Sequence, residues 1–241
     1  MFLAVDKPAR ITSFDVIRIL RRHFPKQKMG HSGTLDPMAT GLMILALDKD
    51  TKKLTELIGL DKSYVATIDF SKLTDTWDME YWEKITNYEL RITDGEVKGI
   101  EMENGTVDAP VVAEITRKLD QLIPSCELPL PAFSAKKTDG KKSYDNAREG
   151  NIIEASKVMK VNGYEILNYE FPLLHLKLDV GSGTYIRSIA YWLGQQFGMG
   201  GTLIQLRRTS IGDWNIETIP HREELYNTYK DKQETIRFAI I

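Results

Sequence analysis

The chain contains little cysteine: Cys126 is the only one among 241 residues, which excludes an internal disulfide. It has no basic segment followed by an apolar run near its start, and no apolar run approaching the roughly 18 residues that a membrane span needs. It also lacks the glycine fingerprints of nucleotide-binding loops and the histidine or cysteine spacing of zinc sites. These absences predict a soluble, cytoplasmic protein that uses no cofactor and no metal ion.

Acidic and basic residues are unevenly distributed along the chain. The formal net charge is −2, but residues 74–108 contain ten acidic and three basic residues and so carry −7, which leaves +5 on the rest. The basic clusters are Lys136, Lys137, Lys141, Lys142 and Arg148, and then Arg207 and Arg208. Because nucleic-acid binding depends on neutralising phosphates, this distribution permits a polyanionic partner and predicts that the acidic segment lies away from it.

The hydrophobic pattern predicts a mixture of strands and helices in one domain, because no repeat or flexible linker interrupts it. A cap at Thr12 or Ser13 begins a helix with Phe14, Leu20 and other apolar residues on its inner face. The other predicted helices begin at Asp50, span 111–122 and follow Gly183; the predicted strands are 2–6, 42–47, 62–70 and 174–180. The proline-rich and lysine-rich stretch 124–150 is predicted to be a long exposed loop that ends in a short helix.

Residues 30–41, G-H-S-G-T-L-D-P-M-A-T-G, form the most informative segment and are called the signature loop. Asp36 lies between a tight turn and Pro37, directly before an apolar run. Gly33 and Gly41 would let a ligand approach its carboxylate closely. From the residues alone two interpretations stay open: a catalytic carboxylate, or an aspartate that only closes a turn.

Arg187 is the second candidate, since G-T-Y-I-R places it in the first turn of a predicted helix. A cation there opposes the helix dipole, so a buried carboxylate partner would compensate it, whereas a solvated arginine would need none. His31 could donate to a ligand or serve only as a loop residue. Tyr64 lies on an alternating strand, where core packing is the ordinary role.

The order and spacing of several segments resemble the TruB-type pseudouridine synthases, bacterial enzymes that modify the uridine of the tRNA T loop. The segments are V-D-K-P at 5–8, the signature loop, K-S-Y at 62–64, T-D-T at 74–76, P-A-F-S-A-K-K-T-D-G-K-K-S-Y at 131–144, A-R-E-G at 147–150, G-T-Y-I-R-S at 183–188 and L-R-R at 206–208. The resemblance extends from Phe2 to about Ile216.

The resemblance implies that Asp36 is the catalytic aspartate, that Arg187 pairs with it and that Tyr64 stacks on the target base. The residues expected to bind the substrate are His31, Leu206, Lys7, Lys136, Lys141 and Arg208. Among these, Leu206 would line the base pocket, His31 would contact the RNA near the flipped nucleotide, and Lys7 with Pro8 matches a motif that supports the loop.

The resemblance also implies a fold with both α and β structure, α/β in the broad sense and α+β in the strict one. It has a central mixed, mostly antiparallel sheet flanked by helices. One catalytic domain, 1–241, would carry two insertions, an RNA-closing thumb at about 128–150 and the acidic segment 74–108. The implied partner is the T arm of tRNA, bound by a monomer that needs no second protein.

Three features differ from the family pattern. The 33 residues after Arg208 in a chain of 241 leave no room for the PUA-type RNA-binding domain that family members commonly carry, so we expect its absence. The acidic segment is longer than usual, and Phe133 stands where a tyrosine is common. Two alternatives follow: the catalytic subunit of an RNA-guided synthase, or an RNA-binding module or tRNA chaperone without catalysis.

Overall fold

The computed structural model describes residues 1–79, 109–131, 137–138, 141–142, 155–219, 223–229 and 232–241. The chain divides into two compact units, and the predicted single domain, 1–241, stays a prediction. The first unit comprises Met1–Val65 and Leu206–Ile241, and the second comprises Ala66–Gln205. Within the described ranges, every helix is too short or too polar to cross a membrane.

The described residues contain four α-helices, one 3-10 helix and thirteen strands. The α-helices are α1 (Ser13–Leu20), α2 (Leu54–Gly59), α3 (Ala109–Asp120) and α4 (Ile186–Gln196), and the 3-10 helix is Asp48–Lys53. The strands are β1 (Phe2–Lys7), β2 (Met29–His31), β3 (Thr40–Leu47), β4 (Lys62–Asp69), β5 (Ser125–Pro129), β6 (Lys137–Thr138), β7 (Lys141–Lys142), β8 (Ser156–Glu170), β9 (Leu173–Val180), β10 (Thr202–Ile211), β11 (Trp214–Asn215), β12 (Glu223–Tyr229) and β13 (Lys232–Ile240).

In the first unit, β1 lies antiparallel between β13 and β3, with Val5 opposite Phe238 on one side and Met43 on the other. β3 also pairs with β2, and its first residues run parallel to β10, where Gly41 lies opposite Arg208. All of β3 except its first residue is buried, as its unbroken apolar sequence predicts. The mixed, mostly antiparallel sheet is therefore confirmed.

Helix α1 begins as its sequence predicts. Thr12 Oγ1 accepts a hydrogen bond from the Asp15 amide at 3.0 Å, and the Asp15 carboxylate accepts one from the Thr12 amide at 3.0 Å, which completes a capping box. Leu20 is buried as expected, but the prediction for Phe14 is wrong, because 48% of this residue is exposed. Its ring lies 4.9 Å from the Arg18 guanidinium on the outer face of the helix.

In the second unit, β9 buries alternate residues, as predicted, and pairs antiparallel with β8. β8 in turn pairs with β5, so the loop predicted for 124–150 is wrong over β5. Among the described strands β5 lies at the edge of the sheet, where proline is tolerated, and this explains Pro129 at the end of β5. Helices α3 and α4 bury Leu119, Ile189 and Leu193.

The two predicted insertions are described only in part. The thumb contains the end of β5 and the short paired strands β6 and β7, and 132–136, 139–140 and 143–150 lie outside the described residues. The acidic segment was predicted to leave the core at Thr74. Thr74, Thr76 and Asp78 are instead buried within the second unit, while 80–108 lies outside the described residues.

Candidate active site

The signature loop links β2 to β3, and its main chain is anchored on both sides of Asp36. Ser13 Oγ, at the start of α1, donates to the Leu35 carbonyl at 3.1 Å and accepts from the Leu35 amide at 2.9 Å. Lys7 Nζ donates to the Pro37 carbonyl at 3.1 Å. The residues on either side of Asp36, Leu35 and Pro37, are therefore held by fixed neighbours, which is what a precisely placed side chain requires.

Asp36 itself is half-buried. Its carbonyl accepts a hydrogen bond from the Ala39 amide at 3.0 Å, which closes a backbone turn through Pro37. Aspartate is a common first residue of such turns, so the turn by itself is compatible with both interpretations of Asp36. The catalytic role of Asp36 stays a prediction.

Lys7 holds the signature loop through contacts with main-chain carbonyls. It is fully buried, and its ammonium group donates to three carbonyls, those of Pro8 at 2.8 Å, Ile11 at 2.7 Å and Pro37 at 3.1 Å. The Arg10 amide reaches the same Pro37 carbonyl at 2.7 Å. A buried ammonium that has filled its three donor positions cannot reach a phosphate without rearrangement. Its burial argues against the predicted RNA contact and for a supporting role.

Arg208 is also a support. Only 1% of the residue is exposed. Its Nε donates to the Leu42 carbonyl at 2.7 Å, and its Nη2 donates to the Gly33 carbonyl at 3.3 Å, so it joins the loop to the start of β3. The burial of Arg208 therefore argues against its predicted RNA contact, as the burial of Lys7 does. A sequence shows the positive charge of a side chain but not its burial.

Gly41 has a conformation that only glycine adopts easily. Its φ is +103°, and a Cβ added there would lie 2.2 Å from the Arg208 carbonyl oxygen. The sequence suggested that Gly41 lets a ligand approach, whereas the structure shows that it lets β10 approach.

We expect Gly41→Ala to lower the free energy of unfolding by about 2 to 3 kcal/mol, through backbone strain and a clash with β10. Urea unfolding measures this effect. Gly59→Ala is the matched control, because a Cβ at Gly59 meets nothing within 4 Å. Equal stability of the two variants would contradict the proposed close approach of the strands.

His31 is half-buried, like several other residues of the signature loop, and its contact with RNA stays a prediction. Its Nδ1 accepts a hydrogen bond from the Gly33 amide at 3.3 Å. Burial lowers the pKa of His31, and the positive charge of Arg208 lowers it further. The imidazole is therefore neutral at neutral pH, and Nε2 carries the proton that it can donate.

Tyr64 and Leu206 lie in the same unit as the signature loop. Both are mostly buried, and the Leu206 carbonyl accepts from Thr40 Oγ1 at 3.5 Å, which places Leu206 beside the end of the loop. Lys62, two residues before Tyr64, donates to the carbonyls of Ile58, at 3.0 Å, and of Leu60. Burial, assisted by the Arg208 charge, lowers the pKa of Lys62 to about 8. Stacking of a base on Tyr64 stays a prediction.

Arg187 lies in the first turn of α4, as predicted, within the second unit. Its side chain is 6% exposed, and Nη1 lies 3.3 Å from Asp78 Oδ2 and donates to the Thr76 carbonyl at 3.1 Å. The predicted buried carboxylate therefore exists, and Asp78 supplies it. The sequence alone does not single out Asp78, because this residue lies among the ten acidic residues of 74–108. The predicted pairing of Arg187 with Asp36, which belongs to the first unit, stays a prediction.

Lys136 and Lys141 are the two thumb residues predicted to bind RNA. Lys136 lies outside the described residues. Lys141 begins β7, where it pairs with Thr138 of β6. A short paired strand thus carries one of the two residues, and RNA contact by either stays a prediction.

Comparison with known proteins assigns the family. Residues 21–186 match the model of the TruB family pseudouridylate synthases, N-terminal domain. The tRNA pseudouridine synthase B of Chloroherpeton thalassium is 37% identical over 221 residues, which cover 89% of this chain and 84% of that protein. The enzyme of the same name from Protochlamydia amoebophila is 34% identical over 236 residues, 98% of this chain and 83% of that protein.

Solved structures agree on the fold. A Cbf5–Nop10–Gar1 complex contains a chain with a TM-score of 0.61 and 24% identity, of which this chain covers 50% with 88% of its own length. An H/ACA RNP bound to a substrate RNA containing 2′-deoxyuridine gives a TM-score of 0.58 at 22% identity, with 88% of this chain and 48% of that chain covered. This protein spans about half the length of those chains. The family match and the close relatives together establish that the chain belongs to the TruB family of pseudouridylate synthases.

Proposed function

We propose that this protein converts uridine to pseudouridine in the T arm of tRNA, with Asp36 as the catalytic carboxylate. The observation that carries the proposal is the main chain around Asp36, held through Leu35 by Ser13 and through Pro37 by Lys7. Two relatives whose aligned sequences are 37% and 34% identical to this chain are named tRNA pseudouridine synthase B.

The reaction is an isomerisation, so its atoms and electrons balance within the substrate. The bond between N1 and C1′ breaks, the ring turns, and C5 forms the new bond to C1′. C5 loses its proton to solvent, and N1 gains one. No net oxidation occurs, and the proposal therefore needs no redox cofactor. An anionic Asp36 can attack carbon or accept a proton, and either role requires the ionised carboxylate.

The target base has to leave the helical stack before it can react. Stacking on Tyr64 would stabilise the extruded base by roughly 1 to 3 kcal/mol. Leu206 would line the apolar side of the pocket. His31, being neutral, would contribute a hydrogen bond from Nε2 rather than an ion pair with phosphate.

Arg187 is proposed to pair with the Asp36 carboxylate and so to favour its ionised form. We further propose that the protein acts as a monomer in the cytoplasm, without a guide RNA or a second protein. The T arm would be recognised by contacts to the RNA backbone, to which Lys136 and Lys141 of the thumb would contribute.

The test is the activity of the purified chain on an unmodified tRNA transcript that carries tritium at C5 of its uridines. We expect release of about one tritium per tRNA, and mapping of the product should place pseudouridine in the T loop. A transcript with cytidine at that position is the control and should release none. A requirement for a guide RNA, or no release from the uridine transcript, would overturn the proposal.

A further inference from the structure

An aromatic stack lies beside Arg187 in the second unit. The rings of Trp77 and Tyr191 have centroids 4.1 Å apart and planes only 9° from parallel. Tyr191 lies four residues after Arg187 on α4, so both side chains project from the same face of that helix. Trp77 lies between Thr76 and Asp78, the two residues that contact the Arg187 guanidinium.

The backbone of Trp77 has an unusual conformation. Its φ is +58°, in the left-handed region that a bulky residue occupies only when its surroundings hold it there. The Trp77 amide donates to the Thr74 carbonyl at 3.1 Å, and the Trp77 carbonyl accepts from the Leu203 amide at 3.0 Å. The backbone conformation of Trp77 therefore sets the directions in which the Thr76 carbonyl and the Asp78 side chain point.

That conformation directs both contacts toward Arg187. The Thr76 carbonyl accepts from Nη1, and Asp78 presents Oδ2 to the same nitrogen. Thr76 Oγ1 also donates to Asp78 Oδ1 at 2.8 Å, which orients the carboxylate. Helix α4 thus carries both Arg187 and the Tyr191 ring, which stacks on the segment that contacts Arg187.

We propose that the Trp77–Tyr191 stack is a positioning device, which holds Thr76 and Asp78 against Arg187 and thereby sets the turnover of the enzyme. This inference rests on the proposed function, because it assigns Arg187 to the reaction. Both rings are only half-buried, so they can be replaced without opening the core. Trp77 and Tyr191 do not themselves contact the reacting atoms in this proposal.

The test compares Tyr191→Leu, which removes the ring, with Tyr191→Phe, which keeps it. We expect kcat on tRNA to fall about three- to tenfold in Tyr191→Leu, with KM changed less than about twofold, and both constants to stay near wild type in Tyr191→Phe. Trp77→Gly removes the other ring and suits a positive φ. The double variant with Tyr191→Leu should lose no more than the stronger single variant.

Two outcomes would overturn the inference: an unchanged kcat in Tyr191→Leu, or an equal loss in Tyr191→Phe, which would assign the effect to the hydroxyl. Trp192→Leu removes the adjacent aromatic ring on α4 and should leave kcat near wild type. An equal loss in that variant would reveal a general weakening of the helix.

A second measurement separates this inference from the proposed function. Hydrogen exchange of the Arg187 side-chain N–H, followed by NMR and assigned with Arg187→Lys, should accelerate severalfold in Tyr191→Leu and remain slow in Tyr191→Phe. If the wild-type protein does not act on tRNA, the proposed function fails, and the exchange rates still decide whether the stack holds Arg187. Unchanged exchange in Tyr191→Leu would overturn the positioning role.

Discussion

Asp36→Asn is expected to lower the release of tritium from C5-labelled tRNA by at least about a thousandfold, within the upper range for acid–base groups. The substitution preserves the shape of the side chain and removes its negative charge. The anchors on either side use main-chain atoms of Leu35 and Pro37, so the loop should keep its conformation. Binding of tRNA should remain within about threefold of wild type, since one neutralised carboxylate does not weaken attraction to phosphate.

The matched control for this prediction is Asp213→Asn, which removes an equal charge at an exposed turn between β10 and β11. It should retain wild-type activity. Retained tritium release in Asp36→Asn would exclude the assignment of Asp36 as the catalytic carboxylate. Loss of tRNA binding together with release would instead assign Asp36 to binding.

The same variant separates catalysis from a chaperone role. If the protein also helps tRNA to fold, the folding yield of a misfolded transcript should rise equally with wild type and with Asp36→Asn. Folding assistance that disappears together with the carboxylate would tie the two functions to one chemical step.

A helix or strand can be predicted from the sequence when its signal lies within its own segment. The capping box at Thr12, the apolar run of β3 and the alternation of β9 each contain their own signal, and all three are confirmed. Strands β5 and β8 have no such signal. β5 ends in proline, and β8 exposes most of its residues, so each depends on a partner distant in sequence.

In the candidate site, too, some features have a local sequence signal and others depend on residues distant in sequence. The signature loop and the first-turn location of Arg187 could be predicted from spacing. The burial of Lys7 and Arg208 could not, because it depends on carbonyls of Pro37 and Leu42 that only the folded chain brings near. Asp78 likewise lies in the acidic segment, whose charge does not indicate that this residue is completely buried.

Asp78→Asn is expected to lower the free energy of unfolding by about 3 to 5 kcal/mol, because it leaves the Arg187 guanidinium buried beside a neutral amide. The side chain of Asp78 is 0% exposed and that of Arg187 is 6% exposed, so water cannot replace the lost partner. Urea unfolding followed by circular dichroism measures the change. Turnover on tRNA should fall as well, since Arg187 loses a contact that orients it.

Removal of both charges distinguishes an ion pair from simple packing. If the pair is what matters, Asp78→Asn combined with Arg187→Met should be more stable than Asp78→Asn alone, because no uncompensated charge remains buried. The exposed pair of Glu114 and Arg117 on α3 provides the control, and Glu114→Gln should leave the unfolding transition unchanged. The contrary result is a double variant that loses as much free energy of unfolding as Asp78→Asn and Arg187→Met lose together. That result would show that Asp78 and Arg187 stabilise the second unit independently. Asp78 would then not be the compensating carboxylate that the position of Arg187 on α4 requires.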